Sequence, residues 1–529
     1  MKLYPEFFND VFGPIMQPGS SSHTAAPCRM GYLANNLLGE TPEKIEIVLD
    51  KDGSFSGTFG IMNEDGGMLA GAMGFLPDDK RIFSIREILK ENKIEYKFNF
   101  SEMKESNHIN AMKFILTGKS GKAVSIVGDS TGGGMIETKI INGFPLRLKG
   151  DTFVALIFSK NNNFEEIVKE IKTNIEDTVD EGLVESEEQG FLYYLKTSES
   201  IDIEKIKYDR SQYSIKLLPP ILPVITKSTK KPQLFTTMTQ WREIARMQNK
   251  KLWEIAVQYE IDASGWTAEQ VIEYMKKVRD KMHRQTHAAY EEELPEIDNP
   301  YLVNHTQEWK EYIDAKKNIT CDTSALAIKL AWGAGFNIPG VEIVPGPMGT
   351  GGGFIYAALF AVKSLKGFSD DDLLRGLFIA AGIGALAYTR TGPTGEVIGC
   401  TGECGMCGAM AAAAVTEMIG GTPEQVEAAA SMSLQSTIGM PCDPIPGGKG
   451  APCYNRVMAS TCMAIVFADV ALSGRDSILP LHEVIDVADT VGKNLPPELL
   501  CTSRGGTCTA PTAKEVSKDF FEWYERKNQ

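Results

Sequence analysis

Residues 217–233 read LLPPILPVITKSTKKPQ, with four prolines, three lysines and no acidic residue. Proline locks φ and lacks an N–H, so neither a helix nor a central strand runs through such a stretch, and an extended linker is expected. It parts a chain of 529 residues into regions of different periodicity. Upstream, KIEIVLD, KFILTG and KAVSIVG read as strands, and the glycines of STGGGMIE (130–137) mark a turn. Residues 151–216 offer a strand (TFVALIFSK), a helix (NFEEIVKEIKTNIED) and a further strand (GFLYYLKTS). Downstream, TQWREIARMQNKKLWEIAVQYE and TAEQVIEYMKKVRDKMHRQTHAAYEEE repeat apolar residues at helical spacing, with Thr267 and Gln270 placed as a capping box. From 324 to 475 the helices are rich in alanine and glycine, which lets them pack closely. The expectation is a multidomain chain: an N-terminal α+β domain over 1–150, a small α+β unit over 151–216, a linker over 217–235 and an all-α domain over 236–529.

Charge and hydropathy narrow the function classes. The net charge of −15 argues against nucleic acid as a partner, because phosphate binding needs a basic surface. The opening MKLYPEFFNDVFGPIM has early acids and no continuous apolar core, unlike a signal peptide. The apolar runs 354–362 and 377–388 are too short to span a bilayer and read as buried helices. A cytoplasmic chain with no membrane partner is expected. The pair His283 and His287 lies four residues apart on a helix without a following HExxH glutamate, so a solvated face is the expected place for both.

Nine of the ten cysteines fall after residue 320. Thiols stay reduced in a cytosolic chain, so metal binding or catalysis is a better reading than disulfides. Cys400, Cys404 and Cys407 form C-x3-C-x2-C within GCTGECGMCGAMAAAAV (399–415). That spacing suits three irons of a four-iron cluster, as in radical S-adenosylmethionine enzymes. Two features oppose that class: the surroundings are helical, and Met406 stands where an aromatic residue is usual. Zinc wants four nitrogen or sulfur ligands. Further on, GMPCDPIPGGKGAPCYNR (439–456) places Cys442 and Cys453 in loops rich in glycine and proline. Two buried free cysteines are the plain alternative for that pair.

Taken together, GCTGE, then CDP, then PC eleven residues later resemble the iron–sulfur L-serine dehydratases, whose α domain carries G-C-Q-G-E, C-D-P and P-C. The resemblance implies a [4Fe–4S] cluster on Cys400, Cys442 and Cys453, with Cys404 and Cys407 as departures from the pattern. GSSSHTAAPCRMG (19–31) resembles the family's P-S-S-S-H-T-x-x-P-x-x-x-G. Its hydroxyls and loop N–H groups suit a carboxylate, so Ser20, Ser21, Ser22 and Thr24 become substrate-binding candidates. His23, whose side chain titrates near neutrality, becomes the candidate base. NHINAM (107–112) resembles H-P-N-A-L/M and adds His108 and Asn110. VPGPMGTGGG (344–353) occupies the place of A-P-T-x-G-x-A-G and adds Gly351 and Gly352. CTSRGGTCTAPTAKE (501–515) resembles the family's C-terminal T-x-x-G-G-L-A-x-x-P-T-G. In some members a cysteine near the C-terminus caps the open iron, which makes Cys501 or Cys508 a candidate for that place. The 151–216 unit resembles a reduced amino-acid-binding (ACT-like) module, and a docking spacer would have the same pattern.

The resemblance implies a fused form of two subunits that eliminates ammonia from L-serine without pyridoxal phosphate. Departures leave room for another β-substituted amino acid, as in cysteine desulfidase or threonine dehydratase chemistry. The family's G-H-G-T-D reads GIMNEDGGM (60–68), its S-G-L-x-G-G has no match in NPYLVNHTQEW (299–309), and Glu-His-Asn before CDP is Gln435, Ser436 and Thr437. A different class, an amino-acid sensor with a structural cluster, would bind an effector without turnover.

Overall fold

The computed structural model describes residues 4–294, 299–302 and 305–528, so Val303 and Asn304 of the 299–309 stretch lie outside the described residues. The chain separates into two compact units. One comprises residues 22–56 and 64–231 and carries the sheets; the other comprises residues 1–21, 57–63 and 232–529 and is helical.

In the sheet unit, strands β1 (Pro42–Asp50), β2 (Glu95–Ser101), β3 (Ala111–Gly118), β4 (Ala123–Gly132), β5 (Met135–Ile141) and β6 (Phe144–Pro145) form one sheet in the order β2-β1-β3-β4-β5-β6. In this sheet β1 and β2 pair in parallel and the other neighbours are antiparallel. Along β1, Ile45, Ile47 and Leu49 alternate inward in KIEIVLD. The β4–β5 turn needs Gly132, Gly133 and Gly134, whose φ values are +97°, +60° and +79°. Helices Ala26–Leu38 and Glu64–Ala72 cross closely because glycine removes the intervening side chains. A Cβ on Gly71 would stand 2.0 Å from the Cys28 carbonyl oxygen, and one on Gly31 would stand 2.6 Å from the Ala72 nitrogen.

The second sheet of this unit joins β7 (Phe153–Ser159), β8 (Thr178–Ser186), β9 (Gly190–Thr197) and β10 (Ser214–Leu218) in the order β10-β7-β9-β8, all antiparallel. Helix Glu165–Lys172 lays Ile167, Val168 and Ile171 against it. Strands β8 and β10 were not evident from the sequence, because the acids of TVDEGLVES and the prolines after LL mask their pattern. The proline-rich stretch is extended after β10 but bound: the N–H groups of Ile221 and Thr226 donate to the carbonyls of Gly150 and Asp151 at 2.8 Å each.

The helical unit centres on Met406–Ile419, in which every residue but Glu417 and Ile419 is buried. Its MCGAMAAAA surface admits the helices Gly351–Lys366, Asp370–Arg390, Pro423–Gln435 and Cys453–Leu472 against it. The Thr267–Gln270 capping box forms at the start of Ala268–Glu291. Trp241 fills the space opposite Gly382 and stacks on Phe235 at 4.5 Å. The apolar runs 354–362 and 377–388 are largely buried in Gly351–Lys366 and Asp370–Arg390, as expected, although the second belongs to a 21-residue helix that, with Cys453–Leu472, is long and apolar enough to cross a membrane; 83% and 39% of their apolar windows are buried in the protein. One correction arises here. His283 and His287 are half-buried rather than solvated, stacked at 4.0 Å and packed against Phe360, because the helix turns that face toward Gly351–Lys366.

Burial pushes the Glu417 carboxyl from 4.5 to about 7 against the pull of Lys251 and Arg375. A raised carboxyl pKa favours the fold below pH 4.5, and that support is lost as pH rises to about 7. Glu417→Gln is expected to raise stability by up to about 3 kcal/mol at pH 8 and by nothing at pH 4. Urea unfolding at the two pH values measures it. Gly71→Val is expected to destabilise the sheet unit by about 1–3 kcal/mol or more through overpacking, read in the same way.

Candidate metal centre

Three loops of the helical unit bring the thiols together, and each is held by backbone hydrogen bonds. Gly399, at φ +67°, turns the chain into Cys400; a Cβ there would sit 2.3 Å from the Met440 carbonyl oxygen. The Cys400 N–H donates to that same carbonyl at 2.9 Å. The Met440 N–H donates to the Thr401 hydroxyl oxygen at 3.1 Å, and the hydroxyl donates to the Thr437 carbonyl at 2.7 Å. So the first loop is stitched to the stretch leading to Cys442. Cys442 is stitched in turn to the C-terminal segment: its N–H donates to Leu499, and the Cys501 N–H donates back to the Cys442 carbonyl, both at 2.8 Å.

Arg456 and Asp443 tie in the third loop. Asp443 is buried and accepts from Arg456 at 2.7 Å and from the Thr507 N–H at 2.7 Å. Arg456 also donates to the Pro441 carbonyl at 2.6 Å. It lies one helical turn after Cys453, which opens the helix Cys453–Leu472.

The Sγ atoms of Cys400 and Cys404 are 3.1 Å apart. The Cys442 thiol is hydrogen-bonded to that of Cys501 and lies 3.7 Å from a Glu403 carboxylate oxygen. A Cβ on Gly395 would stand 2.7 Å from the Cys442 sulfur, so glycine keeps the space beside it open. Cys453 interacts electrostatically with Cys400, Glu403 and Cys501. Cys407 turns away and donates to the Gly346 carbonyl. Cys508 donates to its own turn, at Gly505, at 2.8 Å.

The electrostatics follow from crowding. The hydrogen bond from Cys404, helped by Arg456, draws the Cys400 thiol down to about 7. The same contact drives Cys404 up, the contact with Cys501 drives Cys442 up, and burial drives Cys453 up. Burial and the neighbouring Cys400 hold the Glu403 carboxyl well above its usual range. Buried thiols that oppose one another's ionisation are what a bound cation relieves, since thiolates are the ligating form. The donor set therefore fits a soft metal or a metal–sulfur cluster.

The other candidates fall in two places. In the sheet unit, His23 is fully buried, with Nδ1 2.9 Å from the Ser22 hydroxyl and Nε2 2.9 Å from the Ser54 hydroxyl. Ser130 links the two sequence motifs there. Its hydroxyl donates to the Ser22 carbonyl at 2.8 Å and its N–H to the Asn110 carbonyl at 3.1 Å. The Asn110 side-chain oxygen is buried without a hydrogen-bond partner among the described residues, and the Asn110 N–H donates to His108 Nδ1 at 3.1 Å. Thr24 packs its carbonyl against Gly67, 2.4 Å from where a Cβ would be. In the helical unit, Ser20 and Ser21 run beside Gly349, following the bridge between Met16 and Ile343. Gly351 and Gly352 face protein backbone: their Cβ positions lie 2.3 Å from the Gly346 oxygen and 2.7 Å from the Val344 oxygen. The polar group of that loop is Thr350, whose buried hydroxyl has no hydrogen-bond partner among the described residues. Ser130, Thr350 and Thr401 lie inside STGGGMIE, VPGPMGTGGG and GCTGE without being singled out there, and Ser54 lies in no motif; a lone hydroxyl is too common for its spacing to inform.

A set of thiols gathered by stitched loops on a helical scaffold has the chemistry of a protein that binds metal through thiolates. Comparison with known proteins narrows the class. The family described as serine dehydratase alpha chain matches residues 247–507. The chain is 31% identical over 288 residues to the L-serine dehydratase alpha chain of Peptoniphilus asaccharolyticus, covering 53% of this chain and 97% of the relative. It is 32% identical over 148 residues to the beta chain from the same organism, 28% of this chain and 66% of that one. It is 34% identical over 172 residues to L-serine dehydratase 1 of Escherichia coli (strain K12), 32% of this chain and 38% of that protein. The chain belongs to the iron–sulfur L-serine dehydratase family.

Thr401→Val removes two of the three bonds that stitch the first loop. It is expected to cost about 1–3 kcal/mol in urea unfolding, because buried backbone groups lose their partners. Ser436→Ala, at an exposed hydroxyl, is expected to stay within about 0.5 kcal/mol.

Proposed function

We propose that the protein is a [4Fe–4S]-dependent L-serine ammonia-lyase that converts L-serine to pyruvate and ammonia. The convergence of Cys400, Cys442 and Cys453 from separate loops carries the reading, and membership of the family supports it. These three residues would hold the cluster. When bound, a cluster with three protein thiolates has one open iron and supplies Lewis acidity toward the substrate carboxylate and β-hydroxyl.

The chain's own residues supply the rest. His23 takes the Cα proton, with Ser22 and Ser54 holding its ring from both nitrogens. Ser20, Ser21, Ser22, Thr24, His108, Asn110, Gly351 and Gly352 are the residues assigned to binding the amino acid. Loss of the β-hydroxyl leaves an aminoacrylate, which tautomerises and hydrolyses to pyruvate and ammonia.

The same reading assigns residues 1–150 to the family's β-type domain, 151–216 to an ACT-like module, 217–235 to a linker and 236–529 to the catalytic domain. The protein acts in the cytoplasm as a homodimer, without nucleic acid or membrane partners.

The test is anaerobic purification, iron and sulfide analysis, and addition of L-serine with pyruvate and ammonia measured. Turnover is the expected result. An intact cluster with turnover only on L-cysteine or L-threonine would move the substrate and keep the chemistry. Cys400→Ser, Cys442→Ser and Cys453→Ser are each expected to abolish the cluster absorbance, whereas Cys404→Ser keeps most of the iron. His23→Ala is expected to lower kcat by about 10²–10⁴ with that absorbance unchanged.

A further inference from the structure

The Cys400 and Cys404 sulfurs lie 3.1 Å apart, both enclosed, at the start of the π-turn Thr401–Gly405. A disulfide needs about 2.05 Å, so rotation of the two side chains by about 1 Å of sulfur travel closes the gap. Of the other sulfurs near Cys404, Cys407 is committed to the Gly346 carbonyl, Met348 Sδ stands 3.9 Å away as a thioether, and Cys453 acts on it electrostatically. Cys442 and Cys501 are the alternative pair, but their backbones are joined through the offset bridge of Cys442 with Leu500, and Cys501 is held at φ +59°.

We propose that Cys404 is the oxidation partner of Cys400: in the metal-free protein, dioxygen joins them in a disulfide that withholds Cys400 from the metal centre. The S–S bond forms as two S–H bonds break, and dioxygen takes the two electrons and two protons to become hydrogen peroxide. Thiol reductants reverse it by exchange. The pair itself stands on the sulfur geometry alone; its consequence for metal loading rests on Cys400 as a cluster ligand.

The sequence supplies a clean assay, because Glu403 lies between the two cysteines. The full-length protein is purified anaerobically, aired until its iron is released, alkylated with iodoacetamide and digested with a protease that cleaves after glutamate. The expected product is a peptide ending at Glu403 joined to the peptide starting at Cys404, two hydrogens lighter than the pair and separated by dithiothreitol. Aired wild-type protein is expected to regain iron from ferrous salt and sulfide only after dithiothreitol, and Cys404→Ser without it. The iron content of anaerobic Cys404→Ser serves as the folding control. Alkylated Cys400 and Cys404 in the aired protein, a Cys442–Cys501 link in their place, or full iron return without reductant overturns the proposal. If the anaerobic protein takes up no iron, the cluster reading fails, and the peptide map of the same aired sample still decides the disulfide.

Discussion

The helical unit is organised around one electrostatic constraint: thiols and a carboxyl are buried together and resist one another's ionisation. Cys404, Cys442, Cys453 and Glu403 are all pushed toward their neutral forms, and only Cys400 is drawn the other way, by Cys404 and Arg456. Such a set gains most from a cation, because metal binding ionises the thiols and neutralises them in one event. The scaffold holds the set in place with backbone bonds, which do not change with the protonation of any side chain.

Close packing makes that possible. Gly395, Gly399 and Gly402 bring the first loop to within contact of the Cys442 segment and the 393–394 backbone, where a Cβ would collide. The alanines of Met406–Ile419 let four helices converge behind it. The pieces that hold the cysteines are hydrogen-bonded to one another through backbone groups and through the side chains of Thr401 and Asp443. Arg456 joins the most of them: one guanidinium serves Asp443, the Pro441 carbonyl and the Cys400 thiol.

Cys404 and Cys501 give this chain more thiols at the centre than the three-ligand pattern needs. Cys501 follows Leu500, the bridge partner of Cys442, and Cys404 meets Cys400 because a π-turn brings its side chain back over the residue that precedes the turn. The two contacts have different origins, one non-local and one local.

The sequence by itself determined the classes of element and most of the thiol set. The proline-rich stretch, the alternation of KIEIVLD, the Thr267–Gln270 cap and the helical runs were legible because each depends on neighbours within a few residues. Motif order marks Cys400, Cys442 and Cys453 as the proposed ligands and His23 as the proposed base, roles that rest on resemblance. Tertiary structure alone decided the rest. It placed Cys501 beside Cys442 and sent Cys508 to its own turn, although the two are seven residues apart in one motif. It showed Gly351 and Gly352 packed on backbone, with Thr350 as the polar group of that loop, and it put His283 and His287 on a packed face. It recruited Ser54 and Ser130, which join residues 31 and 108 positions distant. Long-range contacts leave no periodic trace in a sequence, so only the folded chain reveals which hydroxyl or thiol meets which.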